Sequence, residues 1–156
     1  MMRYAALGLL LLAASCAPTT TGASGAETSV APAVTTTGVP APTPTDIRVH
    51  ITEAQHAQIV RVHLNERFAV ELVGTPTAGY LWAPAQMPDF LTRAGEAGGN
   101  TTQAQSQPGF AGGNHWEVFM FAATRAGTGE LVLEQRRPWE KNEPPAQTFR
   151  VTIEAR

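Results

Sequence analysis

The chain has 156 residues, a formal net charge of −2 and a single cysteine. That length allows one well-cored domain, and one cysteine excludes an intrachain disulfide. With 11 basic against 13 acidic residues and no basic cluster, the composition excludes an electrostatic nucleic-acid binder.

Met1 to Ser15 reads as a signal peptide. Arg3 supplies the positive charge, and Ala5 to Ala14 is an apolar run too short to span a bilayer. Ala13, Ala14 and Ser15 precede Cys16, an arrangement that resembles the bacterial lipoprotein signal, with Ala13 where a leucine is usual. The resemblance implies a lipid on Cys16 and a place in the cell envelope, on the periplasmic or cell-surface side. Without lipidation the protein would be secreted with a free or intermolecular cysteine. From 16 to 45 the sequence is dominated by Thr, Ala, Pro, Gly and Ser, with Pro40, Pro42 and Pro44 alternating near its end. It lacks the large apolar residues that offset ordering entropy. A disordered, partly stiffened tether is expected there, reaching at most about 100 Å when fully stretched.

Asp46 to Arg156 reads as the folded part. Alternating apolar residues mark short strands at Ile47, Val49, Ile51, then at Val60, Val62, Leu64, then at Phe68, Val70, Leu72, the last expected to have one buried face. Tyr80 to Trp82 follows, then a polar, Gly-rich interval read as loop. Trp116, Val118, Met120 alternate with Glu117, Phe119, Phe121; Leu131 and Leu133 come next, and Phe149, Val151, Ile153 close the chain. Turn signals separate these runs at Asn65-Glu66, Pro76 to Gly79, Gly98-Gly99-Asn100, Gly109 to Asn114, Gly127-Thr128-Gly129 and Pro144-Pro145. About seven strands without helices predict an all-β fold, an immunoglobulin-like antiparallel β-sandwich. A partly open barrel is the competing architecture.

Chemistry by the protein itself finds little footing. His50, His56, His63 and His115 have no partners at a compact metal-ligand spacing, and His50 and His63 fall on polar phases where solvated side chains are expected. Ser106, the only serine after Asp46, lacks a nucleophile-elbow pattern. No catalytic residue, metal or cofactor is expected.

Three loops remain. In Gly74 to Trp82, Pro76 stiffens the backbone and Gly79 can take φ > 0, so a slim, pre-ordered loop is expected between two strands. Around Phe110, Ala111, Gly112 and Gly113 there is little side-chain bulk, so backbone can approach another surface closely, with Phe110 as an apolar tip. Arg137, Pro138 and Trp139 have the composition of an interface hot spot. Each also has a plainer reading: an inter-strand turn, a hairpin connection, and a Trp folded onto the sandwich edge with Arg137 paired to Glu140 or Glu143.

Taken in order, these motifs resemble the chagasin family of protein inhibitors of papain-like cysteine peptidases, over about the whole of 46–156. Pro76, Thr77, Gly79 and Tyr80 match the family's first loop, with Thr75 in place of its Asn and Ala78 in place of its second Thr. Ala111, Gly112 and Gly113 match the Gly-rich loop, with Phe110 in place of its first Gly, and Arg137-Pro138-Trp139 matches unchanged. The resemblance implies a monomeric inhibitor, not an enzyme, whose three loops wedge into the peptidase cleft with Thr77 over the nucleophile. The peptidase contacts would be Thr75 to Tyr80, Phe110 to Gly113 and Arg137 to Trp139. The rival is a non-inhibitory β-sandwich module for adhesion or envelope assembly that uses the same loops on another partner.

Overall fold

A computed structural model describes residues 38–156. The expected signal peptide, Cys16 and the tether as far as residue 37 lie outside the described residues. The fold is a sandwich of two four-stranded sheets. In chain order the strands are β1 (Val49–Ile51), β2 (Ile59–Val62), β3 (Arg67–Gly74), β4 (Leu81–Gln86), β5 (Leu91–Asn100), β6 (His115–Ala123), β7 (Gly127–Arg136) and β8 (Gln147–Ala155). One sheet has the order β1-β3-β6-β5 and the other β2-β8-β7-β4. The only helical elements among the described residues are three short 3-10 turns.

The sandwich is closed by the alternation seen in the sequence. Phe68, Val70 and Leu72 of β3 and Phe119 and Phe121 of β6 face Leu131, Leu133, Phe149, Val151 and Ile153 of the other sheet in one continuous core. Each fully buried Leu, Val, Ile or Phe contributes roughly 1.5–3 kcal/mol relative to exposure. Phe68 and Phe121 also meet ring to ring at 5.7 Å between centroids, within the range where aromatic pairs attract.

Several expectations are corrected. The sandwich is not wholly antiparallel: β1 pairs parallel with β3, and β2 parallel with β8. In each pair the first strand is a short one at the edge of its sheet, β1 in one sheet and β2 in the other. The polar interval after Trp82 contains an eighth strand, β5, and Gly98, Gly99 and Asn100 lie inside it, paired with Glu117, Trp116 and His115 of β6. Gly127 to Gly129 likewise begins β7; these glycines make room for Phe90, whose ring would stand 2.7 Å from a β-carbon at Gly127.

A further correction concerns β3, which is buried on both faces. Its outer side, with that of β6, carries a second cluster of Ile47, Ala69, Val118 and Met120, packed with Ala41, Ala94 and Ala97. The cover is the end of the expected tether. From Gly38 onward this strap lies along the sheet: the Val39 amide donates to the Thr101 carbonyl at 2.8 Å, and Trp116 Nε1 donates to the Val39 carbonyl at 2.7 Å. Thr43 Oγ1 donates to Oε1 of the buried Glu71 at 2.5 Å. His50 is therefore not simply solvated. Its Nδ1 meets the same Glu71 oxygen at 2.5 Å and its Nε2 meets the Ile47 carbonyl at 3.0 Å. His63 is exposed, as its polar phase implied.

Candidate functional site

Strand register brings the three loops to one end. Gly74, the last residue of β3, is opposite His115, the first of β6, and His115 is also opposite Asn100, the last of β5. Leu81, which opens β4, is opposite Arg136, which closes β7. The connections 75–80, 101–114 and 137–146 therefore leave the sandwich side by side.

The first loop is a single tight turn. Pro76–Ala78 forms a 3-10 turn, closed by Ala78 N–H donating to the Thr75 carbonyl at 3.0 Å and Gly79 N–H donating to the Pro76 carbonyl at 2.9 Å. Gly79 has φ +82, the left-handed conformation that a residue without Cβ enters at little cost. Tyr80 N–H then returns to the Thr75 carbonyl, so the loop's two ends are held together. Thr77 and Ala78 stand exposed at the tip, while Thr75, Pro76 and Tyr80 are half-buried at its sides.

The second connection is braced from within. Gln105, in a short 3-10 turn, accepts the Thr101 and Thr102 amides through Oε1 and donates from Nε2 to the Asn114 carbonyl at 2.7 Å. Gly109, Gly112 and Gly113 all have positive φ, and no neighbour lies near Gly112. Phe110 projects 45% exposed, with Ala111 and Gly113 exposed beside it.

The third loop docks on the first. Arg137 Nε donates to the Ala78 carbonyl at 3.1 Å, and its guanidinium carbon stands 4.5 Å from the Tyr80 ring centroid, a cation–π arrangement. The same guanidinium pairs with Glu140 at 3.0 Å. That hydrogen bond, foremost, pushes the already high Arg137 pKa further up. Trp139 is 67% exposed, yet one edge of its indole lies over Gly79. The arrangement thus combines the two readings of this loop: Arg137 pairs with Glu140, and Trp139 leans on the first loop while presenting most of its surface to solvent.

All the residues singled out in the three motifs are gathered at this end. The residues that connect the loops were only partly legible. Asn114 accepts the Thr75 hydroxyl at 3.2 Å and so ties the first loop to the second. Gln105 had a local signal in the Thr-Thr-x-x-Gln spacing, which places a side-chain acceptor over free amides; Asn114 had none. Together these contacts make one pre-ordered edge with an exposed hydroxyl, exposed glycine backbone and an exposed indole. It can fill a concave partner surface at low ordering cost. Nothing in it is arranged for bond-making: the named contacts all serve to hold the loops in place.

Residues 61–153 match the family model described as chagasin family peptidase inhibitor. No curated protein matches the chain in sequence. Among solved structures, a cysteine protease inhibitor from Entamoeba histolytica is similar in fold, with a TM-score of 0.60 at 20% identity, over 73% of this chain and 100% of that one. The solution structure of Amebosin has a TM-score of 0.55 at 25% identity, over 70% of this chain and 98% of that one.

Proposed function

The chain belongs to the chagasin family of peptidase inhibitors, and on that premise we propose that it blocks papain-like cysteine peptidases by lodging its three loops in the active-site cleft. It is not an enzyme. Thr77, at the exposed tip of the first turn, covers the peptidase nucleophile. Ala111 to Gly113 offer main-chain groups at close range, and Trp139 covers an apolar surface beside the cleft with Arg137 fixing its loop. Inhibition follows from occupancy: the tip fills the site without placing a scissile bond against the nucleophile.

The observation that supports this most is the cross-bracing of the three loops, Arg137 to Ala78 and Thr75 to Asn114, which makes the edge rigid before any partner arrives. Preordering of this kind lowers the entropic cost of docking. Titrating the purified protein into active papain tests the proposal. Reversible, competitive inhibition at stoichiometric binding is expected; full papain activity in saturating excess of the protein would instead favour the adhesion or envelope-assembly module.

We also propose that Cys16, following Ala13-Ala14-Ser15, carries a lipid that holds the monomeric protein in the cell envelope. The lone cysteine at that spacing supports this reading. Cys16→Ser should release the protein from the membrane fraction with inhibition unchanged; membrane retention of that variant would count against the anchor.

A further inference from the structure

Glu117 is the one group among the described residues with a buried, unpartnered side-chain oxygen. It points from β6 into the sandwich at the loop-bearing end. Oε2 accepts the Trp82 backbone N–H at 2.9 Å, across from one sheet to the other. Oε1 has no partner and lies against Gly74 so closely that a β-carbon there would stand 1.7 Å from it. Gly74 and Trp82 are the two residues between which the first loop is strung. Trp82 Nε1 in turn donates to the Val73 carbonyl at 3.0 Å, tying the same two chain ends a second time.

We infer that Glu117 is a positioning residue: its carboxyl group sets the spacing between the two ends of the first loop and thereby the presentation of Thr77. The inference rests on the inhibitory reading for its functional consequence, but not for its geometry. A buried carboxyl oxygen that no protein donor reaches favours the uncharged acid over the carboxylate. Burial accordingly pushes the Glu117 pKa up, against the opposing effect of the Trp82 N–H. An open cleft of about 460 Å³ borders the group and is lined from β5 by Glu96, already paired with Arg93. From β4 it is lined by Leu81 and Trp82, which carry no charge, and Gly74 of β3 brings none. Arg93 neutralises Glu96, so no net charge faces Glu117 across the cleft and burial remains the cause of the upward shift. Ionisation draws Oε1 towards water through this cleft and loosens the strut; the loop end then moves with a single carboxyl proton.

The test uses the full chain and two variants. Glu117→Gln keeps the shape and the acceptor for Trp82 N–H but cannot titrate; Glu117→Ala removes the strut. In amide NMR spectra of the parent between about pH 4 and 8, the Trp82 and Gly79 signals should shift together along one titration curve. In Glu117→Gln both should stay flat. The inhibition constant for papain, taken as the ratio of parent to Glu117→Gln so that the peptidase's own ionisations cancel, should be near one at the acidic end. It should rise several-fold towards the other. Glu117→Ala should inhibit about tenfold more weakly than Glu117→Gln at every pH, the size expected for a lost buried hydrogen bond. A Gly79 signal that titrates equally in Glu117→Gln, or a parent-to-Gln ratio that is flat with pH, would overturn the inference. Should the parent fail to inhibit papain at all, the inhibitory reading falls and the amide titration alone decides the role of Glu117.

Discussion

Trp139 lies over Gly79 so closely that a β-carbon added to Gly79 would stand 2.2 Å from the indole Cη2. Gly79 is thus required twice, by its left-handed φ and by the ring above it. The third loop reads the shape of the first through this contact. Gly79→Ala should displace the indole and distort the turn at once. The backbone part alone is worth about 1–2 kcal/mol. In a Trp139→Ala background only that part should remain, so a denaturant double-mutant cycle should show a coupling above the ~0.5 kcal/mol at which independent sites add. Additive costs would mean that the two loops do not sense each other.

Trp139→Ala by itself should leave the melting temperature nearly unchanged, because most of the side chain faces solvent. Truncating a central aromatic anchor typically costs about 2–4 kcal/mol of binding, a 30- to 1,000-fold rise in inhibition constant at roughly 1.4 kcal/mol per decade. Inhibition equal to the parent's by a folded variant would remove the third loop from the energetic contacts.

Thr77→Asp places a charge at an exposed position that the 3-10 turn does not use for any hydrogen bond of its side chain. Stability should be unaltered, and inhibition of papain should weaken by well over tenfold, because the carboxylate would be desolvated against the nucleophile it faces. An unchanged inhibition constant would show that the tip does not sit there.

His50 links the strap to the sheet with both ring nitrogens against acceptors, Glu71 and the Ile47 carbonyl, a geometry that only the doubly protonated ring satisfies fully. The hydrogen bond to Glu71, foremost, raises the His50 pKa above the usual 6.5. A raised folded-state value means the stabilisation is complete below the unfolded pKa and is lost as pH rises through the folded one. The parent should therefore lose stability relative to His50→Ala as pH rises above the usual histidine value of 6.5 and through the raised folded-state one. The change should be modest, since the imidazole is 42% exposed and solvent screens the pair. Parallel stability curves for the two proteins would separate the strap from this histidine.

The sequence made the main sheets legible where large apolar residues alternate, as in Phe68-Val70-Leu72 and Phe149-Val151-Ile153, because burial and period coincide there. It did not announce β5. Thr92 to Asn100 offers few apolar side chains, and the strand exists because β6 pairs with it on one side and the strap covers Ala94 and Ala97. The strap was hidden for a related reason. Ala41, Pro42 and Thr43 look like linker composition, and the bond that holds Thr43 is to Glu71, far along the chain. At the site, Pro76, Gly79 and Trp139 carried local signals of stiffness, φ and exposure. The contact of Arg137 with the Ala78 carbonyl carried none, since a main-chain oxygen has the same chemistry at every residue.

The strap begins beside the loops. Gly38 bridges to Thr102 at the start of the second loop, whereas β8 runs away from that end and delivers Ala155 opposite Gly127 at the far one. The two ends of the described part are therefore not equivalent handles. A bead, a sensor chip or a fused reporter joined directly at Gly38 would crowd the very edge that has to slide into a cleft. The same load joined after Arg156 would trail behind it, and a display format built on this scaffold should be wired from that side.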